Sequence, residues 1–142
     1  MVKKIKYIFL IFFLFGAFSA TLKSQDIQAI AVIVNDEVIS RYDVNQRVRL
    51  ILVTSGIPAT EENIKRIEEQ AIKALIDEKI QIQEAIKLEV PDSPNEINLM
   101  LDNIARSNQT TAEGILESIT SQGVNSETLL NQIKSELLWN KI

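Results

Sequence analysis

Three times along this chain a Ser or Thr is followed three residues later by an acid and then by an aliphatic run: Ser40 with Asp43, Ser93 with Glu96, and Thr110 with Glu113. In such a box the hydroxyl accepts from an amide of the first helical turn while the carboxylate reaches back to the capping residue's own N–H. Each box therefore marks a helix start, and a chain punctuated this way has little length left for sheet. The β signal that stands out lies ahead of the first box. "AIAVIV" (Ala29 to Val34) and "EVIS" (Glu37 to Ser40) are β-type runs, and Asn35 and Asp36 between them tolerate the positive φ of a type I′ turn. A two-stranded hairpin is marginal in water, so this one must lie against helices, and its second strand runs straight into the first of them.

The helix ends are legible as well. The first helix is predicted from about Arg41 to Ser55, with Val44, Val48, Ile51 and Leu52 inward and a stop at Gly56 and Pro58. A long second helix starts at Thr60, with Glu61 and Glu62 complementing its dipole, and reaches about Leu88. Ile64, Ile67, Ala71, Leu75, Ile82 and Ile86 form one face that Ile72, Ile76 and Ile80 widen, so it should meet more than one neighbour. Ser93, Pro94 and Glu96 open the third, with Ile97, Met100, Leu101 and Ile104 buried. Thr110 opens a short fourth, with Ile115, Leu116 and Ile119 inward and Gly123 at its end. The last runs from about Ser126 and holds Leu129, Leu130, Ile133, Leu137, Leu138 and Ile142. It shows no stop signal of the kind that closed its predecessors, which predicts a helix belonging to a larger design. The unequal spacing of the boxes argues for independent helix starts rather than an internal repeat. The sequon Asn108-Gln109-Thr110 is explained by Thr110 acting as a cap. The expected fold is mainly α: a short N-terminal β-hairpin followed by about five helices in a compact orthogonal bundle.

Composition removes whole classes of chemistry. The 142 residues contain no Cys and no His, so disulfides, thiolate metal sites, cysteine nucleophiles and the commonest general base are absent. Four scattered Gly offer no phosphate-binding loop. No catalytic residue, metal or cofactor is predicted. Lys3, Lys4 and Lys6 precede an apolar run from Ile8 to Phe18, and Ala17, Ser19, Ala20 and Ser24 supply small residues for cleavage. That pattern predicts an export signal over residues 1–24, cleaved after Ser19, Ala20 or Ser24. The run is shorter than the roughly 20 apolar residues a membrane-spanning helix needs, so no stable insertion is expected after removal. Losing the four lysines of this segment leaves 11 basic against 19 acidic residues. An acidic mature chain argues against nucleic acid and against anionic lipid. Arg47 and Arg49 are expected to be solvated, and neither Tyr7 nor Tyr42 carries functional weight.

Three stretches in this order, "AVIVNDEVISRYDV", "LIDEKIQIQEAIKLEV" and "IARSNQTTAEGILESITSQG" leading to "LLNQIKSELLWNKI", resemble the N-terminal domain of the SurA-type periplasmic chaperones and peptidyl-prolyl isomerases. The resemblance covers about Ala29 to Ile142 and makes residues 25–142 one SurA-like N-terminal domain. The related membrane-anchored isomerases share similar helical elements but keep a full transmembrane segment. Members normally continue into one or two parvulin-type isomerase domains and a C-terminal segment, and neither is found in this sequence. Parvulin sites use histidines beside a Cys or Asp, so the family's isomerase activity has no residues to carry it here.

The resemblance implies an ATP-independent periplasmic chaperone module that holds unfolded outer-membrane proteins or extended polypeptide. Self-association through the uncovered apolar helix is a further expected partnership. Leu130, Leu138, Trp139 and Ile142 fall off the Leu129, Ile133, Leu137 stripe and are the peptide-binding candidates, against the plainer reading that they pack on a missing segment. Two alternatives stand beside this: the front end of a truncated isomerase, and an interaction or dimerisation module that binds no client.

Overall fold

The protein is described by a computed structural model over residues 29–142. The predicted export signal and its cleavage site lie outside the described residues. Strand β1 (Ile30–Val34) pairs antiparallel with β2 (Glu37–Ser40), and five helices follow. They are α1 (Arg41–Ser55), α2 (Glu61–Lys87), α3 (Pro94–Ser107), α4 (Ala112–Ser121) and α5 (Ser126–Trp139). The mainly helical fold behind a short hairpin is therefore as predicted, with α1 within the predicted bounds.

In the hairpin Val34 stands opposite Glu37, Ile33 opposite Val38 and Val32 opposite Ile39, with an irregularity between Ile30 and Val32. The turn differs from expectation. Asn35 has φ 55° but Asp36 is not in the positive region, whereas a type I′ turn needs both. The hairpin does lie on helices: Val34 and Ile39 join Val44, Val48 and Leu52 of α1 and Ile67 and Ala71 of α2 in the larger core. A polar strap reinforces this seat. Lys79 of α2 donates to Glu37 at 2.7 Å, and Gln83 donates to both Glu37 (3.0 Å) and the Val34 carbonyl (3.2 Å). The Lys79 hydrogen bond, aided by that of Gln83, holds the Glu37 carboxyl below its ordinary range.

Of the three boxes, one forms as drawn. Ser40 Oγ accepts from Asp43 N at 3.1 Å while Asp43 accepts from Ser40 N at 2.8 Å. Ser93 occupies the cap of α3 and Pro94 its first turn, but Ser93 makes no side-chain cap bond. Its partner Glu96 instead pairs with Lys141, just past the end of α5. For α4 the cap is Thr111, whose hydroxyl accepts from Gly114 N at 3.1 Å. Thr110 therefore does not cap, and its hydroxyl rests over Gly114.

Four helices end on one motif, in which a left-handed residue lets the next amide reach back five residues. Ile57 N bonds Leu52 O, Val90 N bonds Ala85 O, Thr110 N bonds Ala105 O and Val124 N bonds Ile119 O. Gly56 and Gly123 supply the positive φ in two of them, while Glu89 (φ 54°) and Gln109 (φ 56°) supply it in the others.

Helix α2 packs on α1, α5 and the hairpin, as its wide stripe requires. The stripe is not uniformly buried, however. Ile67 and Ala71 are inside, but Ile64, Ile80 and Ile86 are exposed, because the hairpin, α1 and α5 cover separate stretches of the helix. Helices α3 and α4 pack on each other and on α5. A second small core of Leu50, Ile119 and Val124 joins α1 to the end of α4. No helix among the described residues is long and apolar enough to cross a membrane.

Candidate functional site

Two faces of α1 carry the chain's polar and apolar features of interest. On one, Arg47 corrects the sequence expectation of a solvated residue, because it is only 3% exposed. Its Nη1 and Nη2 pair with the two carboxylate oxygens of Glu78 on α2, and Nη2 also donates to the Thr128 carbonyl of α5 at 3.3 Å. One guanidinium thus ties three helices together. Its fork shape makes this possible, since two parallel bonds go to the carboxylate and a further N–H remains for the carbonyl. Arg47 Nε finds no partner among the described residues. Beside the pair lies a small cavity of about 230 Å³ bounded by Tyr42, Asp43, Glu78, Thr128 and Asn131.

On the other face an open groove of about 760 Å³ runs along α1 into the corner between α1 and α2. Val48, Leu52 and Val53 form its α1 wall, and Ile57, Pro58, Ala59 and Ile64 form the corner. The corner is built by the helix-ending motif. Gly56, at φ 63°, turns the chain, so that Ile57 folds back beside Leu52 and joins the larger core. Pro58's carbonyl then accepts from Thr60 N and from the Asn63 amide, both at 2.9 Å. These bonds hold the apolar floor in place with its surface open. Asn45, Arg49 and Gln122 supply the polar lining.

The four residues proposed from sequence do not lie in this groove. Leu138 is 4% exposed, so in this fold it packs inside rather than meeting solvent. Leu130 is half-buried. Trp139 and Ile142 are exposed together at the end of α5, where Ile142 N donates to the Trp139 carbonyl at 3.2 Å. The groove residues were missed because "GIPA" reads only as a helix stop. The available signal was an aliphatic residue immediately after the stop glycine, the position that packs back on the last helical turn.

This is a small helical module, led by a hairpin and with an open apolar corner between α1 and α2, and it carries no group of three His, Cys, Asp or Glu placed to hold a metal among its described residues. Residues 27–142 match the SurA N-terminal domain, and the chain belongs to that family. It is 29% identical over 123 residues to Chaperone SurA of Vibrio cholerae, covering 84% of this chain and 28% of that protein. An uncharacterized protein of Rickettsia conorii is 30% identical over 137 residues, covering 96% of this chain and 44% of the relative. The chain thus spans less than half the length of these relatives.

Proposed function

We propose that this chain is an ATP-independent chaperone module of the periplasm, which holds unfolded outer-membrane polypeptides in the groove at the α1–α2 corner. The observation that carries this reading is the groove itself: a preformed apolar corner in which Val53, Ile57, Pro58, Ala59 and Ile64 keep surface open to solvent, in a member of the SurA N-terminal family. Apolar surface of this kind shields exposed segments of a client without demanding a particular sequence, and an excess of acidic groups keeps the loaded complex soluble. Trp139 and Ile142, exposed at the end of α5, form a secondary apolar contact for the same clients. No step of this holding function is catalytic, and the family match covers the SurA N-terminal domain.

Light scattering of a urea-denatured porin diluted into buffer tests the proposal. The purified chain should suppress aggregation at a modest molar excess. Ile64→Asp, which places a charge in the groove at a position already 40% exposed, should weaken that suppression while leaving the helical circular dichroism and the melting temperature nearly unchanged. A folded chain that leaves aggregation unchanged at several-fold excess would overturn the reading.

A further inference from the structure

The groove's lining carries one formal charge, that of Arg49, and no acid. This stands out in a chain whose acids outnumber its bases. Arg49 is exposed and takes part in none of the ion pairs among the described residues, which use Arg41, Arg47, Lys79, Lys87, Lys134 and Lys141. It is nevertheless closely placed. One guanidinium nitrogen, Nη1, lies 2.7 Å from where a Cβ on Gly123 would stand, so the turn between α4 and α5 passes close against the guanidinium. The turn is in turn clasped to α1. Gln46 donates to the Gly123 carbonyl at 3.4 Å and accepts from Asn125 N at 2.7 Å.

We propose that the groove selects extended segments in which an aspartate or glutamate lies next to aliphatic residues, the carboxylate meeting Arg49 while the aliphatic side chains cover Val53, Ile57 and Ile64. The inference rests on the chaperone reading of the groove and adds a preference to it. Charge complementarity carries it. A guanidinium without an ionic partner, held against an apolar wall, offers a two-pronged donor to a planar carboxylate, and the nearby low-dielectric surface strengthens the contact relative to open water. A lysine-bearing segment gains nothing at this rim and meets a like charge.

Fluorescence anisotropy with short labelled peptides tests it, using blocked termini so that the only carboxylate is the chosen side chain. Three peptides share alternating leucines and differ at the central position, which is aspartate, asparagine or lysine. The aspartate peptide should bind about three- to tenfold more tightly than the asparagine peptide, with the lysine peptide weakest. High salt should erase the difference by screening. Arg49→Gln should erase it too, bringing the aspartate and asparagine peptides to equal affinity, with the melting temperature unchanged. Equal binding of the aspartate and asparagine peptides by the unmodified chain overturns the inference and leaves the chaperone reading standing. A preference that survives in Arg49→Gln overturns the assignment to Arg49. Failure of every peptide to bind overturns the inference, and the porin assay then decides the chaperone reading separately.

Discussion

Arg47 and Arg49 are two residues apart on one helix, about 200° around its axis from each other, and the fold treats them oppositely. Arg47 is buried, bonded to Glu78 on α2 and to the Thr128 carbonyl on α5, where three helices converge. Arg49 is exposed at the rim of an open apolar groove, close to the turn at Gly123 and free of any ion pair among the described residues. The contrast teaches that the same side chain, nearly adjacent in sequence, serves architecture where helices converge and remains available for ligand where they diverge. The difference lies in neighbours. Helices α2 and α5 cross over the Arg47 face, while only the tight corner at Gly56 and the end of α4 border the other.

The comparison breaks most sharply at Arg47. Arg47→Ala leaves Glu78 charged and largely enclosed, and should lower unfolding stability by about 3–5 kcal/mol in urea titration. Replacing both partners, Arg47→Met with Glu78→Leu, should recover most of the loss. If the double variant were as unstable as the single one, the hydrogen bond to Thr128 rather than the ion pair would be the main tie.

Next in size is the helix start that seats Arg47's helix against the hairpin. Ser40→Ala should cost about 1–2 kcal/mol, because Ser40 is buried and its hydroxyl satisfies a first-turn amide. Thr110→Ala, at the box that did not form, should cost less than Thr111→Ala at the cap that did, and the order of the two thermal midpoints checks this.

The hairpin strap predicts a smaller, pH-dependent effect. Glu37 has a lowered pKa in the folded chain, so its stabilising contribution is present above its unfolded value of about 4.5 and is lost as pH falls through the lower folded value. Glu37→Gln should therefore lower the melting temperature slightly at neutral pH, and the gap from the unmodified chain should close under more acidic conditions. The effect is modest because the pair is partly solvated, with the two side chains 34% and 41% exposed.

Smallest of all is the stability effect of Arg49→Ala, expected within about 0.5 kcal/mol by the same urea titration. A larger loss would mean that the Gly123 contact is structural and would draw the two arginines closer in role.

The outline of the fold was legible because it rests on local signals. Ser40 with Asp43, Gly56 followed by Pro58, Thr60 and Gly123 each act on amides or carbonyls within a turn of themselves, so their meaning survives without knowledge of the rest of the chain. Glu89 and Gln109 could not be read in this way. Both take the left-handed conformation that ends a helix, a role that composition assigns to Gly or Asn. Helix packing and the following Val90 and Thr110 bonds hold them there. The exposed Ile86 and buried Ala85 make the same point within α2, where the face that is covered depends on which neighbour arrives.

By itself, then, the sequence determined a hairpin running into five helices, the absence of His and Cys chemistry, and the three stretches that mark the SurA N-terminal family. Tertiary structure alone decided that Arg47 is a buried tie, that Leu138 packs inside, and that Val53, Ile57 and Ile64 border an open floor with Arg49 at its rim. The physical reason is range. Capping and turn preferences act within a few residues, whereas burial and groove formation depend on segments such as Glu78, Thr128 and Gln122 that reach α1 only when the chain has folded.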